Sequence, residues 1–168
     1  NDAPTVSSSN SITYIENAAA TVLNPAITVA DLDSTGLASA TVTISANYVN
    51  GQDVLSFTAV PATMGNISGS FNATTGVLTL SSAGNTATAV QFAIALQAVK
   101  YNNTSDNPST LASTVSYVAN DGTANSVSVA TTTINITAVN DAPTVTSSNT
   151  ITYVENAAAT VLNPAIAV

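Results

Sequence analysis

Charge is scarce in this chain: of 168 residues nine are carboxylates and one is Lys100, for a net charge of -8, and there is no Arg, His, Cys or Trp. That balance excludes nucleic acid as a partner, since phosphate contacts are made by Lys and Arg, and it disfavours anionic lipid surfaces. Without His or Cys the usual base-activated nucleophiles and zinc ligand sets are missing, and no run of about 18 apolar residues is present to cross a membrane as a helix.

The chain reads as short runs of Thr, Val and Ile parted by Asn, Gly, Asp and Pro, the pattern of an antiparallel β-sandwich. In order, strands are expected over 11–15, 26–30, 38–45, 54–58, 76–80, 98–102, 113–119 and 126–139. The run 38–45 is the clearest. There Ala38, Ala40, Val42 and Ile44 alternate with Ser39, Thr41, Thr43 and Ser45, which makes one face dry and covers the other with hydroxyls. Over 126–139 the alternation changes phase, because Val127 and Val129 share one parity and Ile134 and Ile136 the other, so a bulge is predicted near 130–133. One segment breaks the strand pattern. Residues 88–97 put Phe92 and Leu96 four apart with Val99 three further on, and offer Thr88 or Thr86 as N-cap, so a short helix is predicted.

Residues 140–168 repeat residues 1–29 at 25 of 29 positions, an offset of 139. A period that long is a domain rather than one solenoid turn. The chain is therefore expected to hold one complete unit, 1–139, followed by the first strands of the next, 140–168, as in a tandem array. A unit of 139 residues is large enough to bury one core unaided. No basic-then-apolar leader opens the sequence, so any secretion signal is expected outside it. With no Cys for disulfides, a bound metal could serve as the staple of an exported domain.

So few carboxylates make each one informative. One strand crossing takes the chain from one end of a sandwich to the other, so Asp2 at the entry, Glu16 one crossing later, and Asp31 with Asp33 after the return alternate between ends. Asp106 precedes the strand at 113–119 and Asp121 follows it, which also separates these two. A top cluster of Asp2, Asp31, Asp33 and Asp121 is predicted. A bottom cluster of Glu16 and Asp106 is joined by Asn140 and Asp141 of the linker, and Glu155 is the counterpart of Glu16 in the repeated segment. Stacked units bring a bottom against a top. Calcium takes six to eight oxygens from carboxylates, carbonyls and water, and Asp at i and i+2 lets two carboxylates converge from one loop.

The linker Ala138-Val139-Asn140-Asp141-Ala142-Pro143, the Glu16-Asn17 pair, Asp31-Leu32-Asp33 and Val118-Ala119-Asn120-Asp121-Gly122 resemble, in order and approximate spacing, the calcium-binding elements of cadherin repeats. Asp106 occupies the place of the acidic motif ahead of the penultimate strand. The whole chain is similar to the cadherin-like, immunoglobulin-type tandem repeats of very large bacterial surface adhesins, RTX-type proteins exported by type I secretion. The resemblance implies an all-β, antiparallel immunoglobulin/cadherin-like sandwich with one short helix, secreted and displayed at the cell surface. It implies Ca²⁺ as cofactor, neighbouring repeats of the same chain as partners, and joints stiffened by the ion to hold an adhesive tip away from the cell. Ala138 stands where a cadherin linker begins with Asp, and the acidic motif is reduced to Asp106, so one or two ions per joint are implied rather than three.

Plainer readings exist for several of these residues. Asp31 and Asp33 can belong to a solvated turn, Asp121-Gly122 is a good hairpin turn, and Asp106-Asn107-Pro108 can start a turn. Asp53 follows Asn50-Gly51, another hairpin signal. Glu16 and Glu155 have no such local explanation. No enzymatic activity is expected: a Ser-Lys dyad would have to use Lys100, and a paired-carboxylate glycosidase cleft would want aromatic walls, for which there is no Trp. Two rival readings stay open. One is a self-assembling filament in which the strand at 150–154 adds to the sheet edge of another copy; the other is a glycan-binding module using the Thr- and Asn-rich faces.

Overall fold

Alternation of small apolar and hydroxyl side chains sets the architecture of the computed structural model, which describes residues 1–127, 130–164 and 166. The first strands are β1 (Thr5–Ser7), β2 (Asn10–Ile15), β3 (Thr21–Val22), β4 (Thr28–Ala30), β5 (Ser39–Ala46) and β6 (Asp53–Ser56). A one-turn helix α1 (Pro61–Met64) leads to the hairpin of β7 (Ile67–Asn72) and β8 (Val77–Ser82), then helix α2 (Ala89–Gln97) and the strands β9 (Lys100–Asn103), β10 (Ser113–Asn120) and β11 (Ala130–Thr137). Among the described residues the strands form a six-stranded sheet in the order β2-β11-β10-β5-β8-β7, a three-stranded sheet β3-β9-β6, and the pair β1-β4. The protein is thus mostly β-sheet, with open sheets and two helices, an arrangement consistent with a β-sandwich.

Burial follows the sequence pattern closely in β5, where Ala40, Val42 and Ile44 are buried and Ser39, Thr41 and Thr43 are half-buried. The large and small sheets meet through Tyr14 of β2 and Tyr101 of β9, whose rings pack edge to face with centroids 5.2 Å apart. The Tyr14 hydroxyl donates to the Ala18 carbonyl at 2.7 Å and to the Asn103 carbonyl at 3.3 Å, so this ring is satisfied at its polar tip. Across the sheet, Tyr117 and Thr132 share a buried hydroxyl pair at 2.8 Å, and burial pushes the Tyr117 phenol up to about 12. Helix α2 starts with a capping box: the Gln91 amide donates to Thr88 Oγ1, and the Thr88 amide donates to Gln91 Oε1. Its Phe92 and Leu96 are buried in the core, and the helix packs against β4 and α1.

The structure departs from the sequence reading in several places. β2 and β11 run parallel, with Asn10 opposite Thr132 and Ile15 opposite Thr137, so the large sheet is mixed and not wholly antiparallel. Two helices are present instead of one, because Pro61 fixes φ at the first turn of α1 and Gly65 closes it. β11 runs without interruption over the residues where a bulge was expected. No change of phase is needed: Ala130, Thr132, Ile134 and Ile136 are buried in unbroken alternation, and Val127 falls on the outward parity ahead of the strand. Val127 is exposed there, and Val129 lies outside the described residues.

Asp53, read as a turn residue, is instead a buried carboxylate of the small sheet. Its Oδ1 accepts from the Tyr101 hydroxyl at 2.6 Å and the Asn103 amide at 2.8 Å, and its Oδ2 from the Val49 amide at 2.7 Å. Burial first, and Asp53 second, hold the Tyr101 phenol far above its ordinary range. Removing one donor from a buried carboxylate leaves it under-satisfied. Tyr101→Phe is therefore expected to lower stability by about 1–3 kcal/mol, read from the urea unfolding midpoint with an unchanged slope.

Candidate metal centre

Parallel pairing of β2 with β11 delivers two chain segments to the same end of the molecule. Glu16 follows β2 directly, and its amide donates to the Thr137 carbonyl at 3.0 Å, while residues 138–141 leave β11 beside it. The chain turns back sharply after Glu16: Asn17 sits in the left-handed region at φ 62°, and the Ala18 amide donates to the Ile15 carbonyl at 3.0 Å. Asn accepts that conformation more readily than most residues, which is the physical sense of the Glu-Asn pair. The turn folds Glu16 inward until it is only 4% exposed.

There Glu16 Oε2 accepts from the Val139 amide at 2.6 Å, whereas Oε1 is buried with no hydrogen-bond partner. Asp106, from the loop between β9 and β10, and Asp141, from the linker, come to meet it. One carboxylate oxygen from each of the three lies within 4.8 Å of the others, the one such group of three among the described residues. Asp106, Asn107, Ala138, Val139, Asn140 and Asp141 line an adjoining cavity of about 450 Å³. Asn140 is exposed at this end and donates to the Asp141 carbonyl. Three carboxylates packed this closely repel unless a cation or protons neutralise them. The donor set is all oxygen and offers one buried, unpaired carboxylate oxygen, which fits a hard divalent cation.

The opposite end gathers Asn1, Asp2, Asp31, Asp33 and Asp121 in a different way. Asp31 Oδ1 caps its own turn, accepting from the Asp33 amide at 3.2 Å and the Ser34 amide at 2.7 Å, and its Oδ2 is buried with no hydrogen-bond partner. Both oxygens of Asp33 accept from the Asp2 amide at 3.1 Å, and Asp33 Oδ2 lies 3.3 Å from the Asn1 ammonium. Asp121 Oδ1 accepts from the Thr123 and Ala124 amides at 2.6 and 2.7 Å, and its Oδ2 from the Asn1 side chain at 2.8 Å. The carboxylates here are held by backbone donors and do not converge as three on one point.

The structure thus brings together Glu16, Asp106 and Asp141, with Asn140 alongside, and separately Asp2, Asp31, Asp33 and Asp121. It leaves Glu155 exposed and outside the group of three. Asn1 joins the second group without having been singled out from the sequence. Its counterpart Asn140 carried the signal, since the two occupy the same place in the repeated Asn-Asp-Ala-Pro. Comparison with protein-family models, with curated proteins and with solved structures finds no match to this chain.

The contacts at the second end have a pH signature. Hydrogen bonds from the Asp2 amide foremost hold the Asp33 carboxyl below its ordinary 3.8, and those from Ala124, then Asn1 and Thr123, do the same for Asp121. A lowered folded-state value means that the stabilisation is complete above the ordinary pKa and is lost as pH falls through the lower folded value. Carboxyl-detected NMR should find both groups titrating below 3.8. Amide protection of residues 1–3 should fall only in that acid range, and titration at or above the ordinary value would contradict the geometry.

Proposed function

We propose that the chain is a calcium-binding structural repeat of the cadherin-like, immunoglobulin-type kind found in large bacterial surface adhesins, working outside the cell as a spacer and not as an enzyme. The observation that carries this reading is the Glu16–Asp106–Asp141 group with its unpaired Glu16 Oε1, standing where the linker leaves the unit. Asn140 and Asp141 are the repeat counterparts of Asn1 and Asp2. They belong to the bottom of one unit and open the next, whose own counterparts of Asp31, Asp33 and Asp121 would stand across the joint.

A bound calcium ion would supply the positive charge that these carboxylates share. Glu16 and Asp106, fixed in the body, would hold the ligands of one unit still, and Asp141 would tie the linker to them. With the carboxylates unneutralised, like charges a few ångströms apart push the linker away from the body and the joint swivels. Extracellular modules bind calcium with dissociation constants of about 10⁻⁴ to 10⁻³ M, so millimolar calcium outside a cell fills such a site and cytosolic levels do not. The two ends also present one exposed leucine each, Leu32 between Asp31 and Asp33 and Leu111 in the loop after Asp106, as apolar contacts beside the charge.

Calorimetric titration of the 168-residue chain tests this directly. Calcium is expected to bind with a dissociation constant of about 10⁻⁴ to 10⁻³ M. Glu16→Gln retains an acceptor for the Val139 amide while removing the charge, and should weaken binding at least about tenfold, the equivalent of 1.4 kcal/mol. Small-angle scattering on a chain of several units should show a larger maximum dimension in calcium than in chelator. Absence of binding at millimolar calcium would overturn the reading.

A further inference from the structure

We propose that Asn103, held by the buried Asp53, is the positioning residue of the metal centre and fixes both carboxylates that the body of the unit contributes. The inference rests on the calcium-binding reading and adds what sets the affinity of that site. Asp106 is exposed, in the loop 104–112 between β9 and β10, and its side chain accepts no hydrogen bond among the described residues. A ligand on such a loop is ready for an ion only when the backbone around it is already held. Asn103 supplies that hold as the last residue of β9, where it is only 6% exposed.

The two polar atoms of its side chain have different partners. Nδ2 donates to Asp53 Oδ1 at 2.8 Å, and Oδ1 accepts from the Ser105 amide at 2.9 Å. Ser105 Oγ accepts in turn from the Asn107 amide at 3.1 Å, so the backbone is tied on both sides of Asp106. The Asn103 backbone carbonyl serves the other ligand. It accepts at 3.3 Å from the Tyr14 hydroxyl, which also donates to the Ala18 carbonyl at 2.7 Å. Tyr14 and Ala18 flank Glu16 in the chain, so the turn that folds Glu16 inward is fastened to the same residue as the Asp106 loop.

Asp53 decides which way the Asn103 amide points. An ionised carboxylate only accepts hydrogen bonds, so it takes the NH₂ group of Asn103 and leaves the amide oxygen for the loop. The reversed amide would set two acceptors against each other inside the fold and lose the Ser105 amide as well. The Thr104 amide, donating to the Gln52 carbonyl at 3.0 Å, ties the root of the loop to the turn whose Val49 amide holds Asp53. Ligands ordered in this way before the ion arrives bind it more tightly, because less freedom is lost on binding.

The test is calorimetric titration of the 168-residue chain and its variants with calcium, alongside urea unfolding. Asn103→Ala is expected to raise the calcium dissociation constant about 10- to 100-fold, the usual cost of removing a group that orients a metal ligand. Ser105→Ala, at a half-buried position outside the core, should weaken binding with an unchanged unfolding midpoint, and Ser105→Thr should restore it. Tyr117→Phe breaks the distant buried Tyr117–Thr132 pair, and should lower the midpoint while leaving calcium affinity as it was. Unchanged affinity in both Asn103→Ala and Ser105→Ala, or an equal loss in Tyr117→Phe, would overturn the proposal. Should the unaltered chain take up no calcium, the metal reading itself fails. Positioning is then decided by amide hydrogen exchange in chelator, where the Asn107 amide is expected to exchange faster in Ser105→Ala than in the unaltered chain; an equal rate overturns it.

Discussion

Everything at the two ends of this molecule depends on one pairing, that of β2 with β11. Because these strands run parallel, the chain enters at the end where β11 begins and leaves at the end where it finishes. The linker therefore leaves from the end opposite to the entry. The same pairing sets Glu16 against the backbone of 137–139 through two hydrogen bonds, one from its own amide and one to its carboxylate. A one-residue slip of β2 would turn Tyr14 out of the core and Glu16 away from Asp106. Burial of Tyr14 against Tyr101 is thus what fixes the position of the acidic group, since hydrophobic packing specifies a register that hydrogen bonds alone would leave open.

Three fates of a carboxylate appear in one small protein. Asp53 is buried and fully paired with neutral donors, so it organises the small sheet at the cost of desolvating a charge. Asp33, at the surface, accepts the Asp2 amide, and the buried Asp121 accepts amides of its own loop and the Asn1 side chain, which fixes the entering chain to two loops. Glu16, Asp106 and Asp141 meet one another, and Glu16 Oε1 is left buried without a donor. The last arrangement is unfavourable by itself at neutral pH. In a chain with so few charges it is the local grouping, and not the overall net charge, that distinguishes a cation site from an ordinary acidic surface.

Much of this was legible in the sequence because the relevant signals are local and periodic. The alternation of β5, the capping box of α2 and the division of the carboxylates between two ends all follow from spacing along the chain. The elements that were missed are those whose reason is elsewhere. β1 and β3 are too short to show a period, and β7 carries Gly69 and polar residues because it is an edge strand. Parallel pairing of β2 leaves no mark in a run of six residues. Asp53 looked like a turn residue because the turn at 49–53 is real; its partners Tyr101 and Asn103 lie about 50 residues away, and only the folded sheet brings them close. Glu155 shares its local sequence with Glu16 but stands outside the acidic group of three.

Near-identity between segments is both a means and a hazard. In a tandem array, identical joints would let one design serve throughout, while identical first strands would compete for one place in the sheet, since exchange between like domains is a recognised route to unintended association. The linker restrains that competition by its length. With four residues between the end of β11 and the Asp141 position, the following segment cannot reach back over the unit it has just left. The same shortness lets Asp141 lie against Glu16 and Asp106.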